Sequence, residues 1–152
     1  ALITGGTQGV GSAIAKSLAA AGCDLILQGL HENEYSKRTI SDCSRYQVQI
    51  QTLYCDLMQP IANTLEQIDA LVESAKSPVD FLVNNVGVFI DQPFLKMDEP
   101  TFDATFHLNV KLSYFLTQAF AKRWIANKTA GRVVFTGSIN GLLAEPNHSC
   151  YD

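Results

Sequence analysis

The chain opens with a short apolar run, Ala1-Leu2-Ile3-Thr4, that breaks into closely spaced glycines, Gly5-Gly6-Thr7-Gln8-Gly9-Val10-Gly11. A segment follows in which Val10, Ile14 and Leu18 recur every four residues up to Ala21, with Gly22 as a stop. An apolar run without alternation suits a strand buried on both faces, and the four-residue recurrence suits a helix. A buried strand that feeds directly into a helix must find parallel neighbours, since only a crossover connection returns the chain in the same direction. This opening therefore restricts the chain to folds built of strand–helix units.

The rest of the chain repeats the alternation. Leu25-Ile26-Leu27 is a second strand, followed by a polar helix-like stretch near Glu32 to Arg45. Val48 to Tyr54 alternates apolar and polar residues as far as Leu53, and leads into Cys55-Asp56-Leu57. Past Pro60, the positions Ile61, Leu65, Ile68, Leu71, Val72 and Ala75 trace one helical face. Asp80-Phe81-Leu82-Val83 is the fourth strand and ends in Asn84-Asn85-Val86-Gly87. A long helix is expected from Asp98, an N-cap with Pro100 in the first turn, to beyond Trp124. Gly131 to Phe135 gives a fifth strand that ends at Thr136-Gly137-Ser138. The fold class is α/β, a doubly wound parallel sheet with helices on both faces. Such sheets bind ligands beyond the carboxyl ends of their strands. Gly5 to Gly11, Asp56, Asn84 to Gly87 and Ser138 all fall at such ends.

Composition narrows the partners. The 152 residues, 47% of them hydrophobic, suffice for one domain with a substantial core. A net charge of −4 and no Lys/Arg run argue against a nucleic-acid partner. The apolar stretches are too short and interrupted to span a bilayer. Cys23, Cys43, Cys55 and Cys150 form no C-x-x-C pair, and His31, His107 and His148 form no ligand pattern. Reduced thiols, a cytoplasmic location and no metal site are expected.

The glycine turn carries the first chemical signal. Backbone N–H groups and the positive end of the following helix dipole converge there, and glycines admit a phosphate without a Cβ in the way. No Gly-Lys-Ser/Thr closes the motif, so it is no cradle for a terminal phosphate and magnesium. A dinucleotide pyrophosphate fits better.

The spacing T-G-x-x-x-G-x-G resembles the short-chain dehydrogenase/reductase family, and the likeness extends over the whole chain. Asn84-Asn85-Val86-Gly87 is similar to the family's N-N-A-G, with Val for Ala. Asp56-Leu57 resembles its adenine-side pair, and Asn109 falls where the family carries an asparagine that helps hold a proton-relay water. Ser138 and, thirteen residues on, Tyr151 match its serine and the start of its Y-x-x-x-K. The resemblance implies a Rossmann-like domain of which residues 1–152 are the N-terminal part. It also implies an NAD(P)-dependent oxidoreductase acting between a carbonyl and a secondary alcohol. Cofactor contacts are expected from Gly5, Thr7, Gln8, Gly9, Val10, Gly11, Asp56, Leu57, Asn85 and Gly87. Catalytic roles are expected for Ser138, Tyr151 and Asn109.

Hydride transfer to a carbonyl needs a proton source for the developing alkoxide and a donor to polarise the oxygen. Tyr151 can supply the first and Ser138 the second. A tyrosine in water, with a pKa of about 10, is phenolate to only about one part in a thousand at pH 7. In the family a lysine four residues beyond the tyrosine supplies a stabilising cation. The sequence reaches only Asp152, so the expectation is a piece truncated before that lysine and before the last strands, inactive by itself. The alternative is a nucleotide-binding scaffold without turnover.

At the end of the second strand Gly29 stands where NAD-preferring members place an acid, and Gln8 where NADP-preferring members place a basic residue. The reading leans to NAD and keeps NADP open. The resemblance implies a substrate such as a 3-oxoacyl thioester, a sugar or a small secondary alcohol, and nothing in the sequence selects among them. Ile139 to Cys150 is expected to line its pocket, with Asp91 to Lys96 opposite. The family further implies a homodimer or homotetramer joined largely through the long helix and the helix expected to begin at Tyr151.

Overall fold

The computed structural model describes residues 1–152 as a five-stranded, wholly parallel sheet in the order β3-β2-β1-β4-β5. The strands are β1 (Leu2–Ile3), β2 (Leu25–Gly29), β3 (Ile50–Tyr54), β4 (Phe81–Asn84) and β5 (Arg132–Phe135). The helices are α1 (Gly9–Ala20), α2 (Glu34–Ser44), α3 (Ile61–Ser74), α4 (Glu99–Phe106) and α5 (Leu112–Asn127).

β1 is only two residues long, yet it is the middle strand, and each of its residues serves one face of the sheet. Leu2 enters a cluster with Ile68 and Val72 of α3 and Leu116, Phe120 and Trp124 of α5. Ile3 enters another with Ala15 and Ala19 of α1 and Cys43 of α2. Both side chains are fully buried, a contribution of about 1.5–3 kcal/mol each. The strand order turns outward from β1 in both directions, β2 then β3 on one side and β4 then β5 on the other. The point of reversal therefore lies at the carboxyl ends of β1 and β4, where this class of sheet opens a crevice.

Two elements differ from the sequence reading. Helix α1 buries Gly11, Ser12, Ala15 and Ala19, while Val10 is 61% exposed. The small residues let the helix lie close to the sheet, and Ile14 and Leu18 pack at its flank. The long helix is capped by Asp98, whose carboxylate accepts from Thr101 N at 2.8 Å, with Pro100 in the first turn. It is interrupted by a π-helical stretch at His107–Lys111 that separates α4 from α5. Single-turn π stretches inside α-helices are frequent at functional sites, and this one carries Asn109.

At the far end of α5, the indole of Trp124 donates to Val79 O at 2.7 Å and lies against Gly131, where any Cβ would meet its ring. This contact seats the start of β5. Val134 and Phe135 of β5 remain about half exposed at the outer edge of the sheet.

Candidate active site

The carboxyl ends of β1 to β4 open into a cleft of about 700 Å³. It runs on into a second cavity of about 380 Å³, because Asn85, Val86, Gly87 and Thr136 line both. The result is one trough across the top of the sheet, of a size that takes a small-molecule ligand or cofactor.

The first wall is the turn from β1 into α1. Gly5 and Gly9 have φ of +61° and +54°, values that side-chain-bearing residues adopt at a cost of about 1–2 kcal/mol. Apart from its chain neighbours and its own helix backbone, no atom lies within 4 Å of where a Cβ on Gly9 would stand. The N-cap of α1, Gln8, makes no side-chain capping bond, and its first turn holds no acid. By contrast, Asn33 caps α2 and Asp98 caps α4. The N-terminus of α1 thus offers its first N–H groups and its dipole to the trough, a setting that suits a phosphate. Gly5, Thr7, Gln8, Gly9 and Val10 line this part. Gly11 lies behind it, where a Cβ would run into Gly5 O and the Asn85 amide.

The turn is held from three sides. Asn85 Nδ2 donates to Thr4 O at 3.0 Å and to Gly5 O at 3.4 Å. Thr4 Oγ1 accepts from the backbone N–H groups of Asn85 (3.0 Å) and Val86 (3.1 Å). Thr7 O accepts from Thr39 Oγ1 at 2.9 Å. Thr7 also packs against Gly29, so closely that a Cβ there would stand 2.5 Å from Thr7 Oγ1. Position 29 therefore has no room for the acid considered in the sequence reading.

The second wall comes from the end of β3. Asp56 and Leu57 both line the cleft, the Asp56 carboxylate accepting from Met58 N at 2.9 Å. Leu57 is buried, and its carbonyl is 3.0 Å from His107 Nε2. The neighbouring Cys55 thiol is pushed up in pKa by burial, partly offset by a hydrogen bond from Gln28, so it forms a neutral wall. At the rim stand Leu30 and His31, both exposed.

The second cavity brings together Gly87, Asn109, Ser138 and Tyr151, which lie far apart in sequence. Asn109 Oδ1 accepts from Val88 N at 2.8 Å, and its Nδ2 donates to Val88 O at 2.9 Å. The next residue, Phe89, meets Tyr151 edge to face at 5.0 Å and His148 at 4.5 Å. Ser138 Oγ donates to Asn140 Oδ1 and accepts from Asn140 N, both at 3.2 Å. Asn140 Nδ2 in turn donates to Asp152 Oδ1 at 2.9 Å. The Asp152 carboxyl is held below its usual range, first by the Glu145 N–H.

Of Ile139 to Cys150, only Gly141 reaches this cavity, and Leu142 and Leu143 point to solvent. Asp91 to Lys96 do not line it either; Gln92 N instead donates to Asn147 O, pairing the two segments. Val88 and Phe89 form the wall in their place. Thr136 Oγ1 donates to Asn85 Oδ1 at 3.2 Å and joins the ends of β4 and β5. Thr4, Gln28 and Thr136 were not legible as site residues; their signal is a polar residue just past a strand, as for Thr4 and Thr136, or next to last in one, as for Gln28.

A doubly wound parallel sheet with a glycine-lined, uncapped helix N-terminus at its point of reversal defines a Rossmann-type nucleotide-binding fold. The family model described as short chain dehydrogenase matches residues 1–152, and the chain belongs to that family. It is 30% identical over 140 residues to an L-rhamnose 1-dehydrogenase (NADP(+)) of Thermoplasma acidophilum, covering 92% of this chain and 54% of that protein. It is 32% identical over 151 residues to an L-xylulose reductase of Mesocricetus auratus, covering 99% and 57%. A metagenomic short-chain oxidoreductase solved in complex with NADP superposes with a TM-score of 0.87 at 26% identity, covering 99% of this chain and 67% of that one. The chain spans about half the length of the curated relatives it matches.

Proposed function

We propose that the full-length protein is an NAD(P)-dependent oxidoreductase that interconverts a carbonyl and a secondary alcohol, and that residues 1–152 are the N-terminal part of its single dinucleotide-binding domain. The observation that carries this reading is the trough itself. One end presents the open N-terminus of α1, and the other gathers Asn109, Ser138 and Tyr151. When bound, the nicotinamide supplies or accepts the hydride. Gly5, Thr7, Gln8, Gly9 and Val10 receive the pyrophosphate, with Gly11 shaping the turn from behind. Asp56 and Leu57 flank the adenine, and Asn85 and Gly87 floor the middle of the trough.

In this reading Tyr151 Oη passes a proton to the substrate oxygen and Ser138 Oγ polarises it by hydrogen bonding. Ser138 Oγ now donates to Asn140, so its hydroxyl rotates toward the substrate when one arrives. Asn109 acts through Val88: by fixing that backbone it sets Phe89, whose ring abuts Tyr151.

NAD is the favoured cofactor. No Lys or Arg lines the 700 Å³ cleft, and the exposed rim residues beyond Gly29 are His31 and the apolar Leu30. A ribose 2′-phosphate in this cleft would find no guanidinium of the kind NADP sites supply; Lys16 and Arg38 line a neighbouring cavity that shares Gln8 and Gly9. Dissociation constants for NAD and NADP on the full-length protein test this. Tighter NADP binding overturns the preference, and absence of binding to both overturns the function.

Sugars lead the substrate panel, followed by 3-oxoacyl thioesters and small alcohols, since two relatives are named for L-rhamnose and L-xylulose. Turnover is read at the nicotinamide absorbance band. Self-association through the α4–α5 region is supported by the exposed Phe102, Phe106, Val110, Tyr114 and Phe115. The four unpaired cysteines support a reducing, cytoplasmic setting.

A further inference from the structure

Gln28 is the only side chain that reaches both walls of the cleft by hydrogen bonding. It stands on β2, between β1 and β3, and is 2% exposed. Its Oε1 accepts from Gly5 N at 2.9 Å. Its Nε2 donates to Cys55 O at 3.0 Å and faces Cys55 Sγ at 3.9 Å. Its backbone carbonyl accepts from Gly6 N at 2.9 Å. One residue thus holds two successive glycines of the turn and the residue just before Asp56.

We propose that Gln28 is a positioning residue that sets the distance between the glycine turn and the Cys55–Leu57 wall, and thereby the affinity for a ligand that must touch both. The inference rests on the proposed dinucleotide reading. Gln28 lines the cleft, but its Nε2 is engaged by Cys55 and its Oε1 by Gly5. Its effect on a ligand therefore passes through the two walls. Neither arm is replaceable by packing: Gly5 N is an N–H at a φ of +61°, and Cys55 O belongs to a buried residue. A buried polar group left without its partner is costly, and these two arms are the only side-chain hydrogen bonds that join the turn to the Cys55–Leu57 wall.

The test uses the full-length protein with NAD as a two-wall ligand and adenosine as a one-wall ligand. Gln28→Met fills similar space and loses both arms. Gln28→Glu keeps the Gly5 arm and loses the donor to Cys55 while its carboxyl is ionised. Protonation returns an O–H donor, and burial raises the pKa at which this happens. The expected result for Gln28→Met is NAD binding weakened by about tenfold at all pH values, with adenosine changed by less than about twofold. For Gln28→Glu the same loss is expected at about pH 8, with recovery toward wild type at about pH 5.

Equal weakening of both ligands, or unchanged NAD binding by Gln28→Met, overturns the proposal. A Gln28→Glu variant that stays weak at acid pH overturns the Cys55 arm. Gln28→Met buries no charge and keeps the comparison available if Gln28→Glu does not fold. Wild-type protein that binds neither nicotinamide dinucleotide overturns the function reading instead.

Discussion

The side-chain amide of Asn109 pairs with both backbone groups of Val88, at 2.8 Å and 2.9 Å, as a neighbouring strand would. This pairing joins a helix to the segment after β4, and Asn109 makes it from within the π-helical stretch at His107–Lys111. Asn109→Ala removes two hydrogen bonds and strands a backbone pair, so a loss of about 1–3 kcal/mol is expected in urea denaturation. In the full-length protein, if it turns over as proposed, kcat should fall more than NAD affinity, since the displaced Phe89 abuts Tyr151 and not the first cleft.

Gly29 and Thr7 are fitted to each other. Gly29→Ala should destabilise by about 1–3 kcal/mol through overpacking, because its Cβ would stand 2.5 Å from Thr7 Oγ1. Thr7→Ala in the same chain removes the obstructing atoms and should recover most of that loss. A double-mutant cycle with no coupling would show that the two side chains do not meet as described.

Tyr151→Phe keeps the ring against Phe89 and deletes only the hydroxyl. Turnover by the full-length protein should drop by about 10²–10⁴. NAD binding should stay within about twofold, since Tyr151 lines the second cavity and not the first. Wild-type rates in this variant would remove Tyr151 from the mechanism.

Asp98 gives a pH signature. Its carboxyl is held below the ordinary range, first by the backbone N–H of Thr101 and then by the Thr101 hydroxyl and Gln92. Its folded pKa lies below the unfolded value, so its contribution is full above about pH 4 and is lost as pH falls through the folded pKa. Urea midpoints measured on both sides of this window should show the wild type losing more than Asp98→Asn, which still caps the helix without titrating.

The alternation of strands and helices was plain in the sequence because unbroken apolar runs and four-residue recurrence mark buried strands and amphipathic helices. The glycine turn was equally plain. Val10 misled because small residues carry the contact between α1 and the sheet, and Gly11, Ser12, Ala15 and Ala19 give almost no hydropathy signal. Gln28 was hidden for a related reason: in a strand buried on both faces, one polar side chain shows in no pattern until its partners are placed. The far wall was misassigned because 91–96 and 139–150 satisfy each other through Gln92 and Asn147, which turns them away from the cavity.

The brevity of β1 has a further consequence. Thr4 N binds Val83 O and Gly6 N binds Gln28 O, so the amides leading into the turn are tied to both neighbouring strands. Separating either pair requires parting the middle of the sheet. Deuterium should therefore enter these amides about as slowly as anywhere in the molecule, on the timescale of complete unfolding. The loop that a ligand would touch first is anchored in the part of the protein that opens last.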